Sequence, residues 1–175
     1  MVHPMRRLLV AVALATLGAC GDQRPTEPPD PAAARPFLGP SSGPNLVECP
    51  TDETKSRTAI IGGAGGTISL DGTSVVFPAG ALPGLTTVKL TIPASRYVEI
   101  AIETDGAEYF PVKQPVVTIN YSRCDRVDVL TKPLTAWYID AETKDLLEQM
   151  VGIDDKLTRS VTFTTSHFSG YAIAF

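Results

Sequence analysis

Two acidic clusters contain the side chains most suited to binding a metal ion. Their members are Asp140, Glu142, Asp145, Asp154 and Asp155. Calcium takes several oxygen ligands from one loop, so the first cluster invites comparison with an EF-hand. Counted from Asp140, position five is Lys144, position six is aspartate rather than glycine, and position twelve is not glutamate. The acids are therefore predicted to be solvated loop charges, and no metal or other cofactor is expected.

A glycine-rich run at 62–66 has the composition of a phosphate-binding loop. A P-loop requires Lys and then Ser or Thr after its last glycine, whereas Thr67 follows Gly66 directly. A dinucleotide-binding fold requires a helix at this point, and the residues after Gly66 alternate like a strand. The run is predicted to be a turn.

The histidines and serines do not form a hydrolase pattern. The chain contains two histidines, His3 and His167. A serine nucleophile needs a base within hydrogen-bond reach, and no Gly-x-Ser-x-Gly elbow is present. The sequence therefore predicts a protein that is not an enzyme.

Residues 1–19 have the three parts of a secretory signal. Arg6 and Arg7 give a positive start, 8–17 is an unbroken apolar run, and Gly18 and Ala19 are small. A membrane-spanning helix needs roughly 20 apolar residues, about twice the length of this run. The segment is expected to direct export and then to be removed.

Cys20 follows the small pair directly. Leu17-Gly18-Ala19-Cys20 resembles the lipobox of bacterial lipoproteins, which implies diacylation of the Cys20 thiol, cleavage before it and acylation of the new amine. Three acyl chains would anchor the protein firmly, since each buried methylene contributes about 0.8 kcal/mol. Aspartate after the cysteine resembles an inner-membrane retention signal; Gly21 occupies that place and favours the outer membrane. The alternative is an ordinary signal peptide with a coincidental cysteine.

Residues 20–50 are predicted to be a disordered tether that begins at the lipidated cysteine. Its prolines are Pro25, Pro28, Pro29, Pro31, Pro36, Pro40, Pro44 and Pro50. Such a segment cannot form a helix or a strand ladder, and it has few large apolar residues to bury. The whole chain carries a net charge of −4 with its Lys and Arg scattered, so binding to nucleic acid is not expected.

Cys49 and Cys124 remain once Cys20 is acylated. In an oxidising cell envelope they are predicted to form a disulfide. The bridge would close a loop of about 75 residues and stabilise the fold by roughly 4 kcal/mol. Two free thiols are the alternative. Neither cysteine lies in a CxxC motif or beside a histidine, so a redox or metal role is not favoured.

Residues 51–175 are predicted to form a Greek-key β-sandwich of about nine or ten strands, because short alternating runs are separated by turn residues. Asp71-Gly72 between two such runs is a strong hairpin signal. Residues 140–145 are predicted to be a loop. The predicted strands are Thr58–Ile61, Thr67–Leu70, Thr73–Phe77, Thr86–Ile92, Tyr97–Glu103, Val116–Tyr121, Leu134–Asp140, Leu146–Val151, Ser160–Thr165 and Gly170–Phe175.

Several of these runs resemble a known domain. The residues 65–70 and 75–82, which include Pro78-Ala79-Gly80-Ala81-Leu82, look like the opening of the ZU-five domain of zonula occludens proteins, netrin receptors and ankyrins. Residues 110–121 resemble its central strands, and 166–172 resembles the closing strand of bacterial lipoprotein versions. The resemblance implies a β-sandwich and, from the animal members, a protein-binding role.

The string His167-Phe168-Ser169 resembles a self-cleaving motif found in some animal relatives. There the serine hydroxyl attacks the preceding carbonyl, so Ser169 would be the nucleophile, Phe168–Ser169 the scissile peptide and His167 a candidate base. This reaction needs a strained peptide held near attack geometry. The alternative is that Phe168 packs into the core and the other two are ordinary residues of the final strand.

The leading hypothesis is a lipid-anchored envelope protein whose sandwich is a structural or protein-interaction module. Its partner, a protein or a glycan of the envelope, is unknown. A glycan- or ligand-binding module is one alternative, since β-sandwiches often bind sugars on a sheet face, and an exposed aromatic row would favour it. Trp137 is expected in the core rather than in a stacking platform. The self-cleaving domain is the other alternative.

Overall fold

The chain folds as an all-β sandwich. A computed structural model describes residues 45–106 and 113–175, and antiparallel strands make up most of them. The described elements are β1 (Glu48–Thr51), β2 (Lys55–Ile61), β3 (Gly66–Leu70), β4 (Thr73–Phe77), β5 (Thr86–Ile92), β6 (Ser95–Tyr97), β7 (Glu99–Thr104), β8 (Val116–Asn120), α1 (Val127–Thr131), β9 (Thr135–Ile139), β10 (Leu146–Gln149), β11 (Gly152–Asp155), β12 (Ser160–Thr164) and β13 (Gly170–Ala174).

Two large sheets and one short one make up the sandwich. The six-stranded sheet has the order β10-β9-β13-β7-β5-β2, the five-stranded sheet has the order β11-β12-β8-β4-β3, and β1 pairs with β6. Many neighbours in a sheet are distant in sequence, which is typical of Greek-key connections. The all-β prediction is confirmed, with thirteen strands in the described residues rather than nine or ten.

Alternation along the strands builds the core between the two large sheets. Val88, Leu90 and Ile92 of β5 all point inward and are buried, as their spacing predicted. The five-stranded sheet contributes buried side chains in the same way, among them Ile68, Val75, Phe77, Val117, Ile119, Val161 and Phe163.

Both glycine-containing turns that the sequence predicted are present in the structure. Asp71 and Gly72, with φ of 47° and 79°, join β3 to β4, and positive φ at both central residues is the hairpin geometry that Asp-Gly favours. Gly65 has φ of 82°, and a Cβ there would lie 2.3 Å from the Phe77 carbonyl oxygen. The run 62–66 is therefore a turn in which one glycine is sterically required.

The folded domain begins before the predicted end of the tether. The Val47 side chain is fully buried, its N–H donates to the Ile173 carbonyl (2.8 Å), and its carbonyl accepts from Val98 N–H (2.9 Å). The prediction of a tether through Pro50 is thus wrong for residues 45–50. Partners distant in sequence order this segment, so its local composition does not reveal it. The signal peptide, Cys20 and the tether up to residue 44 lie outside the described residues.

The observed elements differ from the predicted strands at three further places, where the sequence pattern is short. The predicted strand Tyr97–Glu103 is two strands, because Val98 bonds to both Val47 and Ile173 and so separates β6 from β7. The predicted strand Leu146–Val151 ends at Gln149, after which the chain crosses to the other sheet as β11. The helix α1 was not predicted, since its five residues bury only Val129 and give no helical period.

Candidate functional site

Cys49 and Cys124 form the predicted disulfide, with their Cα atoms 5.6 Å apart. The bridge ties β1 to the loop that precedes α1. Beside it, the Arg123 guanidinium donates to the carbonyls of Cys49 (3.2 Å) and Tyr97 (3.1 Å), and burial lowers the pKa of Arg123. We call the end of the sandwich that carries this bridge, α1 and the Asp71–Gly72 turn the disulfide end.

A polar cleft of ≈ 290 Å³ opens at the disulfide end, and its lining includes Lys55, Asp71, Asn120 and Arg123. Lys55 Nζ lies 2.6 Å from Asp71 Oδ2, and the Ser122 hydroxyl donates to Asn120 Oδ1 at 2.6 Å. Lys55 and Asp71 are thus an ion pair, whereas Arg123 is hydrogen-bonded to backbone carbonyls. None of the exposed large apolar side chains in residues 45–106 and 113–175 is aromatic, so this part of the chain offers no exposed row for stacking sugars.

The residues His167, Phe168 and Ser169 lie in the bend before β13, not within the strand. Phe168 packs against the core, with its ring centroid 5.8 Å from that of Phe77. His167 Nδ1 lies 3.3 Å from the Tyr171 hydroxyl, and its Nε2 faces Glu148 Oε2 at 3.6 Å. The Ser169 carbonyl accepts from Ile102 N–H as ordinary sheet backbone. None of the three residues has left-handed backbone.

Beneath this bend, Tyr171 is fully buried and its hydroxyl lies in a cluster of hydrogen-bonding groups. Its hydroxyl lies 2.5 Å from Thr165 Oγ1, and both hydroxyls reach the carbonyl oxygen of His167. Burial raises the pKa of Tyr171 to about 12. At the opposite end, the buried Tyr121 donates to Asp154 Oδ1 at 2.7 Å, and burial raises its pKa as well.

The two buried phenols should make the fold sensitive to alkali. Above pH 10, the ordinary tyrosine pKa, the unfolded chain loses these protons while the native state keeps them. Native Tyr171 thus binds more protons, and stability falls by about 1.4 kcal/mol per pH unit for this group between pH 10 and 12. Urea unfolding at pH 8 and pH 11 measures the loss, and Tyr171→Phe should reduce its pH dependence. Equal stability at both pH values would contradict the assignment.

Carboxylates of both acidic clusters accept hydrogen bonds from backbone N–H groups. Asp140 Oδ1 accepts the N–H groups of Glu142 and Thr143, both at 2.8 Å, and these donors, led by Thr143, lower the pKa of Asp140. Loop placement is thus confirmed for 140–145. It is wrong for Asp154 and Asp155, which lie in β11, and the largely buried carboxylate of Asp154 also accepts Leu134 N–H at 2.9 Å. Among the described residues, no three His, Cys, Asp or Glu side chains are placed to hold a metal.

Trp137 is not part of the core, contrary to expectation. It faces outward from the six-stranded sheet beside Ala172, half-buried, whereas Ala136 and Tyr138 of the same strand face inward. Its indole N–H is buried without a hydrogen-bond partner. Alternation in the sequence does not say which face of β9 points inward, and in the structure Ala136 and Tyr138 lie opposite the buried Ile173 and Tyr171.

The outer face of the five-stranded sheet carries no charged side chain in its two central rows. We call these nine residues the uncharged face. They are Ile153, Thr162, Thr118, Ser74 and Ser69 in one row, and Thr164, Val116, Val76 and Thr67 in the next. The outer face of the other large sheet differs, because it carries the ion pairs Lys89–Glu103 (2.9 Å) and Lys144–Glu99 (2.7 Å).

At its β11 edge the uncharged face opens into a mainly apolar groove of ≈ 280 Å³, lined by Val116, Val151, Ile153 and the threonines of β12. We call it the edge groove. Val151 is 92% exposed and Ile153 74% exposed. Gly152 lies between them, and a Cβ there would stand 2.6 Å from the Thr162 carbonyl oxygen, so the chain needs glycine to pass this close to β12.

No family model matches the chain, and no curated protein matches it. Among the described residues, no helix is long and apolar enough to cross a membrane.

The edge groove was not predicted from the sequence. β11 was not predicted, so Ile153 was assigned to no strand. The available signal was the pair of large apolar residues on either side of Gly152, two residues apart and followed directly by acids. This spacing is typical of one strand face, although it does not say whether that face is buried.

Proposed function

We propose that the protein is a lipid-anchored, non-enzymatic protein of the bacterial cell envelope, held in the outer membrane through Cys20. Its sandwich, which we propose to be ZU-five-like, serves as a protein-interaction module. The lipobox resemblance supports the anchor. The Lys55–Asp71 ion pair in the polar cleft and the packing of Phe168 against the core favour binding over catalysis.

The observation that carries the binding role is the uncharged face with its edge groove. Exposed apolar side chains at a sheet edge are uncommon in proteins that act alone, because edges are normally blunted by charge. The edge strand β2 of the other large sheet carries Lys55 and Arg57 beside its own exposed Ile60, and its outer face is charged. β11 ends in Asp154 and Asp155, but its Ile153 and the preceding Val151 lie beside the uncharged face, which fits a partner that buries aliphatic side chains.

Ile153→Asp should prevent partner binding without unfolding the domain. Ile153 is 74% exposed, so the substitution costs little stability, but a carboxylate buried in an apolar interface is expected to weaken binding about tenfold or more. Crosslinking of the intact lipoprotein in its native envelope, followed by mass spectrometry of the products, measures the loss.

Ile60→Asp is the matched control. Ile60 is also an exposed isoleucine, 73% accessible, on the edge strand of the other sheet. Products that persist in this variant and vanish in Ile153→Asp support the proposal. Identical product patterns in both variants would show that the uncharged face is not the interface.

A further inference from the structure

Two aliphatic side chains project from the disulfide end. Leu157, at the turn between β11 and β12, is 96% exposed, and Val127, the first residue of α1, is 75% exposed. Lys156 joins the two elements, since its Nζ donates to the carbonyls of Val129 (2.8 Å) and Lys132 (2.6 Å). The side chains of Leu157 and Val127, which we call the two tips, thus belong to two elements that Lys156 links.

The N-terminal segment of the domain is fixed at this same end. Phe175 N–H donates to the carbonyl of Asn45, the first described residue, at 3.1 Å. Lys132 Nζ lies 5.0 Å from the Phe175 ring centroid, and Arg126 donates to the Glu48 carbonyl at 3.2 Å. The chain that leads back to Cys20 thus joins the domain beside α1 and the β11–β12 turn.

The charges around the two tips are balanced, by three ion pairs and by Lys132 and Asp155, which carry opposite charges. The pairs are Lys156–Asp154 (2.7 Å), Arg126–Asp128 (2.7 Å) and Arg159–Asp125 (2.6 Å). No excess of basic charge is left to attract anionic lipid. A surface of this kind inserts aliphatic side chains without repelling the bilayer, and its attachment should depend little on salt.

We propose that the two tips dock the domain on the lipid bilayer, so that the disulfide end faces the membrane and the edge groove remains accessible. The proposal rests on the proposed lipid anchor at Cys20. Two aliphatic side chains bind a bilayer weakly on their own. A tether of residues 21–44 raises their effective concentration at the surface and makes weak docking sufficient.

Leu157→Trp in the full lipidated chain tests the docking. The protein is reconstituted into vesicles of phosphatidylethanolamine and phosphatidylglycerol in which part of the lipid carries brominated acyl chains. The fluorescence of the native Trp137 is subtracted using the unsubstituted chain. Because interfacial side chains reach about 5–10 Å into the bilayer, bromine should quench about half of the added indole emission. Val127→Asp in the same chain should reduce the quenching.

Leu85→Trp is the matched control. Leu85 is 84% exposed and lies beside Gly62, at the end of the sandwich opposite the two tips. Quenching confined to the Leu157 position, and unchanged in 1 M salt, supports docking. Equal quenching at both positions, quenching at neither, or loss of quenching in salt overturns it. Vesicle flotation separates the two proposals. If the protein floats with the vesicles but the Leu157 position is not selectively quenched, docking is refuted and the anchor stands. If the protein does not float with the vesicles, both the anchor and the docking are refuted.

Discussion

Replacing Cys49 and Cys124 together with alanine should lower the free energy of unfolding by about 4 kcal/mol. The bridge closes a loop with a sequence separation of 75, and opening it restores conformational entropy to the unfolded chain. Native-state contacts of β1 should be weakened as well. Among the described elements β1 pairs only with the short strand β6, and the bridge holds it in place. Urea unfolding of the two forms measures the difference, and the melting temperature should fall by about 15 °C.

The unsubstituted chain under reducing conditions is the control for packing. Reduction opens the bridge without removing the sulfur atoms, so similar losses in both experiments assign the effect to the crosslink rather than to cavities at Cys49 and Cys124. A difference below about 1 kcal/mol in both would mean that contacts around Val47 hold β1 without the bridge.

Local signals account for the parts of the fold that were predictable. The strands Thr73–Phe77 and Thr86–Ile92 were predicted with their observed bounds, because alternation and turn residues specify them within a few positions. The Asp71–Gly72 turn follows from residues that tolerate positive φ. The Cys49–Cys124 pairing follows from the number of cysteines and the inferred compartment.

Long-range pairing accounts for what was missed. Val47 is buried only because Val98 and Ile173 meet it from elsewhere in the chain. The uncharged face consists of Thr, Ser, Val and one Ile, which are ordinary strand residues in sequence. Only the register across five strands brings them into rows free of charge, and only the edge position of β11 leaves Ile153 exposed. Such a surface is a property of topology rather than of a motif.

Cys20→Ala should move the protein from the membrane fraction to the soluble fraction. One acyl chain gives only marginal membrane affinity, two already suffice for stable anchoring, and the lipobox resemblance implies three. Removing the thiol removes the site of the first acylation and blocks the later steps. The two tips cannot compensate, since their docking depends on the anchor. Fractionation of the cell envelope, with detection of the full chain, measures the redistribution.

The Cys49→Ala/Cys124→Ala chain is the matched control, because it loses cysteines but keeps Cys20 and should stay with the membrane. Mass spectrometry of the mature protein gives an independent reading, with the expected N-terminus a Cys20 that carries a thioether-linked diacylglyceryl group and an acylated amine. An unmodified N-terminal segment, or a Cys20→Ala chain that remains in the membrane fraction, would refute the anchor. The apolar run 8–17 has about half the length of a membrane-spanning helix, so the uncleaved signal is not expected to hold the Cys20→Ala chain stably in the bilayer.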